Sequence, residues 1–238
     1  MLELILILAI VYLFAIRCRS GHPGLKDLQG WNYAHRGLHG EGIPENSMAA
    51  FKAALDHGYG IELDIHLLKD GSLAVLHDHS LKRTAGADVM IEDLTAEDLE
   101  NYRLEGTEEK IPLFSEVLAL YDGRQPLIVE LKVERNNYAQ LAEAACNMLD
   151  TYDGPFCIES FDPRCIHVLK KKYPHIIRGQ LTRDYSESDV KLAAPLKWAL
   201  KHQVLNFMTM PDFVAYRYHD RKTLSNFICR HFSFLLYF

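Results

Sequence analysis

Four short stretches of this sequence bring titratable side chains to places where they can act together. His35 and Arg36 close an apolar run that begins at Trp31, and Glu62 and Asp64 lie within Ile61–Leu67. His77 and Asp78 follow Leu73–Leu76, and Glu130 and Lys132 end Leu127–Lys132. Residues two apart in a strand share a face, so Glu62 projects with Asp64 and Glu130 with Lys132. Three carboxylates ~5 Å apart at an effective dielectric near ~20 repel by roughly 3 kcal/mol a pair, on the order of 10 kcal/mol together. That rivals the stability of a whole domain, so the cluster must take up a cation or protons. An all-oxygen donor set favours one hard divalent ion, Mg²⁺ or Ca²⁺, over zinc. Imidazole titrates near neutrality, so of His35 and His77 one can take a proton while the other supplies one to a leaving oxygen. Arg36 and Lys132 suit the holding of a phosphate and the offsetting of charge on its oxygens. The set fits hydrolysis of a phosphate ester.

An isolated E-x-D would be read more readily as a solvent-facing pair, with Ile61, Leu63 and Ile65 turned to the core. Here those three aliphatics suit the helix-facing side of a barrel strand, and three other strand ends are polar too. The joint pattern favours inward carboxylates.

The elements that must position these residues alternate along the chain. Strands are expected over Trp31–Ala34, Ile61–Leu67, Leu73–His77, Leu127–Lys132, Phe156–Ser160, Ile176–Leu181 and Val204–Met208. Helices are expected after an N-cap at Asn46 or Ser47, ending at Gly58, and over Phe114–Tyr121, Tyr138–Asp150 and Arg164–Tyr173. The polar stretch Ser80–Lys110 reads as an inserted loop with a short helix near Ala96–Tyr102. Strands separated by helices indicate parallel βαβ units, and seven or eight of them a closed barrel whose active site lies at the C-terminal strand ends.

The motifs H-R-G at His35–Gly37, P-E-N-S at Pro44–Ser47, E-x-D at Glu62–Asp64, K-D-G at Lys69–Gly71, H-D at His77–Asp78, E-L-K at Glu130–Lys132 and S-F at Ser160–Phe161 together resemble the glycerophosphodiester phosphodiesterase family. Order and spacing match from about Trp31 to Phe161. The resemblance implies a TIM-type (β/α)8 barrel that cleaves glycerophosphodiesters to sn-glycerol 3-phosphate and an alcohol. It implies His35 and His77 as the acid–base pair, and Glu62, Asp64 and Glu130 as ligands of the divalent cation. Arg36 and Lys132 match phosphate contacts, and Glu45 and Asn46 belong to a motif that shapes the site beside His35. The family route uses the glycerol 2-hydroxyl as nucleophile, giving a cyclic phosphate that water opens. The insertion occupies the place of the family's substrate-side insertion. Family members end in a strand bearing W-T-V-N and a closing helix. Here His231–Phe238 is an apolar run without that pair, so the barrel is expected to be incomplete at its C-terminus. Alternative readings are a lysophospholipase D-type hydrolase of the same fold and a non-catalytic membrane-bound domain.

Leu4–Ile16 is wholly apolar or aromatic, with Arg17 and Arg19 beyond it. As a helix it spans roughly 20 Å, short of the ~30 Å hydrocarbon core but accommodated by local thinning. Its ten Leu, Ile, Val and Phe residues favour insertion by roughly 3–6 kcal/mol. One N-terminal transmembrane helix is therefore expected, with the trailing arginines placing the catalytic domain in the cytoplasm. The implied organisation is an anchor over 1–19, a linker over 20–30 and the barrel over 31–238. The net charge of −6 argues against a nucleic-acid partner. Five scattered cysteines with no C-x-x-C pair fit neither a disulfide framework nor a zinc knuckle.

Overall fold

The computed structural model describes residues 1–185 and 192–232. In chain order the helices are α1 (Leu2–Ala15), α2 (Met48–Asp56), α3 (Lys82–Ala85), α4 (Phe114–Tyr121), α5 (Tyr138–Leu149), α6 (Pro163–Lys172), α7 (Ala194–Lys201), α8 (Asn206–Thr209) and α9 (Leu224–Phe232). The strands are β1 (Tyr33–His35), β2 (Gly60–Leu67), β3 (Leu73–Val75), β4 (Leu127–Leu131), β5 (Phe156–Ser160), β6 (Arg178–Thr182) and β7 (Phe213–Tyr216). The chain divides into two compact units, Gly24–Glu159 and Met1–Pro23 with Ser160–Phe238.

In the first unit β1, β2, β4 and β5 pair side by side and parallel. β2 shows how sequence sets the layers. Ile61, Leu63 and Ile65 are fully buried on the face that meets α2 and α5, while Glu62, Asp64 and His66 alternate onto the other face. α5 answers with Leu141, Ala142, Ala145, Cys146 and Leu149, all buried and spaced as one helical stripe. α2 starts at Ser47, whose hydroxyl accepts from the Ala50 amide at 3.1 Å, and it runs out at Gly58, which holds a left-handed φ of 75°. The insertion packs Leu81, Ile91, Leu94 and Leu104 against Leu68 and Leu76, on either side of β3, in one buried cluster. Its helical pieces are α3 and two 3-10 turns, Ile91–Asp93 and Asp98–Asn101.

In the second unit β6 pairs parallel with β7. Arg19 ties the segment after α1 into this unit. Its Nε lies 2.5 Å and its Nη2 2.6 Å from the Asp212 carboxylate, and its Nη1 donates to the Pro174 carbonyl at 2.6 Å.

Three expectations are corrected here. The (β/α)8 barrel becomes a TIM-like but incomplete β/α arrangement, with seven strands among the described residues. One of them, β3, runs antiparallel to β2. The five residues between β2 and β3 suffice for a tight reversal but not for the crossover of a dozen or more that a parallel neighbour needs. Next, the segment read as a strand at Val204–Met208 is a turn that runs into the helix α8 at Asn206, and the strand comes later as β7. A short apolar run does not by itself distinguish the two states. Residues 233–238 of the terminal apolar run lie outside the described residues.

The third correction concerns the membrane. No helix among the described residues is long and apolar enough to cross one. α1 has 14 residues, or about 21 Å against a hydrocarbon core of ~30 Å. The arginines read as its basic flank are engaged by protein, Arg19 with Asp212 and Arg17 over the Phe14 ring, 3.9 Å from its centroid. A transmembrane anchor, and the cytoplasmic orientation inferred from those charges, are not supported.

Candidate active site

Strand register assembles the carboxylates. His35 sits beside Glu62 across β1 and β2, Asp64 beside Glu130 across β2 and β4, and Glu130 beside Glu159 across β4 and β5. Because neighbouring strands are ~4.8 Å apart, one layer of acidic side chains crosses the sheet. All four carboxylic residues are buried: Glu62, Asp64, Glu130 and Glu159. One ligand atom from each of Glu62, Asp64 and Glu130 fits within a 4.8 Å span.

The cations enter from two sides. Lys132 Nζ lies 2.8 Å from both Asp64 Oδ1 and Glu130 Oε1. Arg36 Nε is 3.6 Å from Asp64 Oδ2, within ion-pair reach yet without a hydrogen-bond partner. Its Nη1 donates to Glu45 Oε1 at 3.1 Å.

The loop after β1 holds an unusual path to achieve this. Arg36 and Asn46 carry left-handed φ values of 56° and 52°, and the Asn46 amide donates to the Arg36 carbonyl at 2.9 Å. Between them Gly37, at φ 79°, leaves no space: a Cβ there would stand 2.8 Å from that of Ala50. Asn46 then aims its Nδ2 at Asp64 Oδ2, 2.9 Å away.

The histidines stand at the rim. His35 is mostly exposed, with Nε2 3.7 Å from Glu62 Oε2. His77 Nδ1 lies 2.6 Å from Asp78 Oδ1, which leaves Nε2 as its outward nitrogen. Arg83, from α3, donates to Asp78 and to Glu45, each at 2.6 Å.

Burial and like charge leave the acidic layer unsettled. Burial raises Glu62 well above the usual carboxylate range, and Asp64 and Glu130 add to it. Glu130 is pushed up to about 7 by burial, with Lys132 opposing and Asp64 adding to the rise. Glu159 is raised by burial and then by Glu130. For Asp64, burial works upward, but Lys132, His77 and Asn46 outweigh it and hold the carboxyl low. Both rim histidines are lowered, His35 by partial desolvation of a side chain that is still largely exposed and then by Arg36, His77 by burial and then Lys132.

These residues fit a divalent cation. Among the described residues the permanent cations in ion-pair reach of this four-carboxyl layer are Arg36 and Lys132, two fewer than the carboxyls. Glu159 Oε2 is buried without a hydrogen-bond partner, and the donors are oxygens, as hard ions require.

Residues 35–219 match the family model described as the glycerophosphoryl diester phosphodiesterase family. This chain belongs to that family. A glycerophosphodiester phosphodiesterase of Bacillus altitudinis is 34% identical over 163 residues, covering 64% of this chain and 66% of its own. One from Caldanaerobacter subterraneus is 33% identical over 158 residues, covering 62% of this chain and 65% of its own. The matched stretch thus spans just under two thirds of either relative. A phosphodiesterase of Oleispira antarctica, solved in complex with the product sn-glycerol-3-phosphate, superposes with a TM-score of 0.71 at 21% identity, covering 92% of this chain and 87% of that one. The Thermotoga maritima glycerophosphodiester phosphodiesterase gives 0.63 at 23% identity, covering 87% and 84%. At such identities these two structures speak for the fold.

Within this member of the glycerophosphoryl diester phosphodiesterase family, two site residues escaped the sequence reading. Glu159 had a signal, since it precedes the S-F motif near the end of a strand and so repeats the place of Glu130 one strand over. Arg83 had none, because only the fold of the insertion brings it to Asp78 and Glu45.

Proposed function

We propose that this protein hydrolyses glycerophosphodiesters to sn-glycerol 3-phosphate and an alcohol. The observation that carries the reading is the buried layer of Glu62, Asp64 and Glu130, cationic at two edges through Arg36 and Lys132, with His35 and His77 at its rim.

Glu62, Asp64 and Glu130 are the residues that would hold one divalent cation, Mg²⁺ or Ca²⁺ by donor type. Such an ion supplies Lewis-acid polarisation of a phosphoryl oxygen. The chain's own groups account for the rest. Arg36, with its unpartnered Nε, and Lys132 bind the phosphodiester oxygens and balance charge as the phosphorane develops. Lowered pKa values favour the neutral form of both imidazoles near neutral pH, so one is ready to take the proton of an attacking hydroxyl. The 2-hydroxyl of the glyceryl group is the nucleophile within reach of such a base. The other imidazole, once protonated, gives its proton to the departing alkoxide, which leaves a cyclic phosphate; with the two roles exchanged, water then opens that ring to sn-glycerol 3-phosphate. Asp78 holds His77 Nδ1 at 2.6 Å, which fixes the tautomer and leaves Nε2 for proton transfer. Glu45 and Asn46 keep Arg36 and Asp64 aimed.

The test is release of sn-glycerol 3-phosphate from glycerophosphocholine by the purified full chain, with Mg²⁺, Ca²⁺ or a chelator. Metal-dependent release is expected. A folded sample that turns over no glycerophosphodiester under any of these conditions overturns the proposal.

A further inference from the structure

One cluster of ligand-type side chains takes no part in the chemistry above. His66 is the next residue on the inward face of β2 after Asp64, His79 lies two positions beyond His77, and Glu134 two beyond Lys132. Each strand end thus continues past the acidic layer into a second one. Glu92 joins it from the 3-10 turn Ile91–Asp93 of the insertion.

The contacts converge. His66 Nδ1 and His79 Nδ1 each lie 2.8 Å from the same oxygen, Glu92 Oε1. The two rings stand edge to face with centroids 4.9 Å apart. His79 Nε2 is 3.5 Å from Glu134 Oε2. One ligand atom each from His66, His79 and Glu92 fits within 4.8 Å.

A plain hydrogen-bonded clamp explains only part of this. Two Nδ1–H groups donating to Oε1 would account for the short contacts. They would leave Glu92 Oε2 and His66 Nε2, both buried, with no partner. The His66 side chain is 0% exposed and that of Glu92 6%, so neither atom turns to bulk water, and each unpaired buried group costs about 1–3 kcal/mol. A cation between the rings would use the two Nδ1 atoms and let the carboxylate engage with its second oxygen as well, which relieves Glu92 Oε2, the orphan that the clamp cannot satisfy. Glu134 is then placed as the outer carboxylate that orients a ligating imidazole.

We propose that His66, His79 and Glu92 form a second cation site, selective for a zinc-class divalent ion and separate from the site of Glu62, Asp64 and Glu130. Two imidazoles and one carboxylate are a borderline donor set that prefers zinc or cobalt, whereas three carboxylates prefer the hard ions. Three protein ligands leave a coordination position for water. The ion would join β2 to the insertion, so its first consequence is to hold the insertion in place over the sheet of its own unit.

The experiment uses the full chain, stripped with chelator and titrated with Co²⁺ while excess Mg²⁺ occupies the carboxylate site. Expected is one equivalent of Co²⁺ with the visible absorption of a nitrogen-ligated, four- or five-coordinate ion, bleached when Zn²⁺ displaces it. His79→Gln and Glu92→Gln should each weaken binding by about 10–100-fold and abolish the rise in Tm that Zn²⁺ gives the parent protein. Glu130→Gln should keep the band. His79 is partly exposed, so its variant is the one best placed to fold if Glu92→Gln does not. Absence of the band in folded parent protein, its survival in the folded variants at cluster positions, or its loss in Glu130→Gln would each overturn the proposal.

Discussion

Lys132 Nζ lies 2.8 Å from Asp64 Oδ1, an ion pair whose side chains are 11% and 1% exposed. The same ammonium reaches Glu130 Oε1 at 2.8 Å, so one lysine serves as the internal counter-ion of the acidic layer. Removing one partner of a buried pair strands the other. Lys132→Met is expected to lower stability by about 3–5 kcal/mol, with part of that loss recovered by Mg²⁺ or Ca²⁺. Urea unfolding with and without the ion measures both effects. An equal deficit in the two conditions would show that cation and lysine do not share these carboxylates.

Glu130 gives the layer a pH signature. Its carboxyl is raised to about 7 from an ordinary 4.5, so the folded state binds more protons than the unfolded chain between those values. That contribution to stability is fully present below pH 4.5 and is lost as pH rises through about 7. In chelator, stability is therefore expected to fall across this interval by an amount of order 3 kcal/mol, and a bound divalent ion should flatten the fall. Ion binding near neutral pH should release protons, measurable by calorimetry in buffers of different ionisation enthalpy. Binding without proton release at pH 6 would contradict the shift.

What the sequence displayed of all this follows from the range of its signals. The face carrying Glu62 and Asp64 was legible because a period of two is local to β2 and the aliphatics Ile61, Leu63 and Ile65 mark the opposite side. β3 was found, but its direction was hidden in loop length. Lys69–Gly71 sits in a five-residue connection, and a connection this short imposes an antiparallel neighbour, which no local pattern displays. Val204–Met208 failed because five apolar-rich residues carry no period. Arg83 and Glu92 were illegible for another reason. Both come from the insertion, whose fold is set by contacts among Leu76, Leu81, Ile91 and Leu104 rather than by a repeating pattern. α1 shows the opposite failure, a strong local signal that length and the Arg19–Asp212 pair overrule.

Asn46 tests how the loop before α2 supports the site. Its left-handed φ of 52° disfavours a Cβ-bearing residue by about 1–2 kcal/mol, a penalty that asparagine tolerates best. Its Nδ2 also donates to Asp64 at 2.9 Å. Asn46→Gly keeps the backbone and loses the hydrogen bond, and Asn46→Ala loses both. Alanine is expected to be the worse by about 1 kcal/mol in chemical denaturation, and both variants should bind the divalent ion more weakly. Equal stability of the two would show that the backbone at this position stores no strain.

His35 and His77 divide fold from chemistry. His35 is mostly exposed and meets only Glu62, at 3.7 Å, among the acidic groups within ion-pair range, so its removal leaves little unpaired. His77 gives up one hydrogen bond, to Asp78 at 2.6 Å. Each alanine variant is expected to unfold within a few degrees of the parent while turnover drops by about 10²–10⁴. Asp78→Asn separates the tautomer from the imidazole itself. It keeps His77 but can present a donor to Nδ1, which shifts the proton to Nε2. If His77 gives its proton to the leaving group from Nε2, that variant retains more activity than His77→Ala, and the basic limb of its pH–rate profile moves to lower pH because the imidazolium has lost the Asp78 carboxylate. Near-parental turnover in both alanine variants would remove the two histidines from the mechanism and leave phosphate binding by Arg36 and Lys132 as the only chemistry the rim performs.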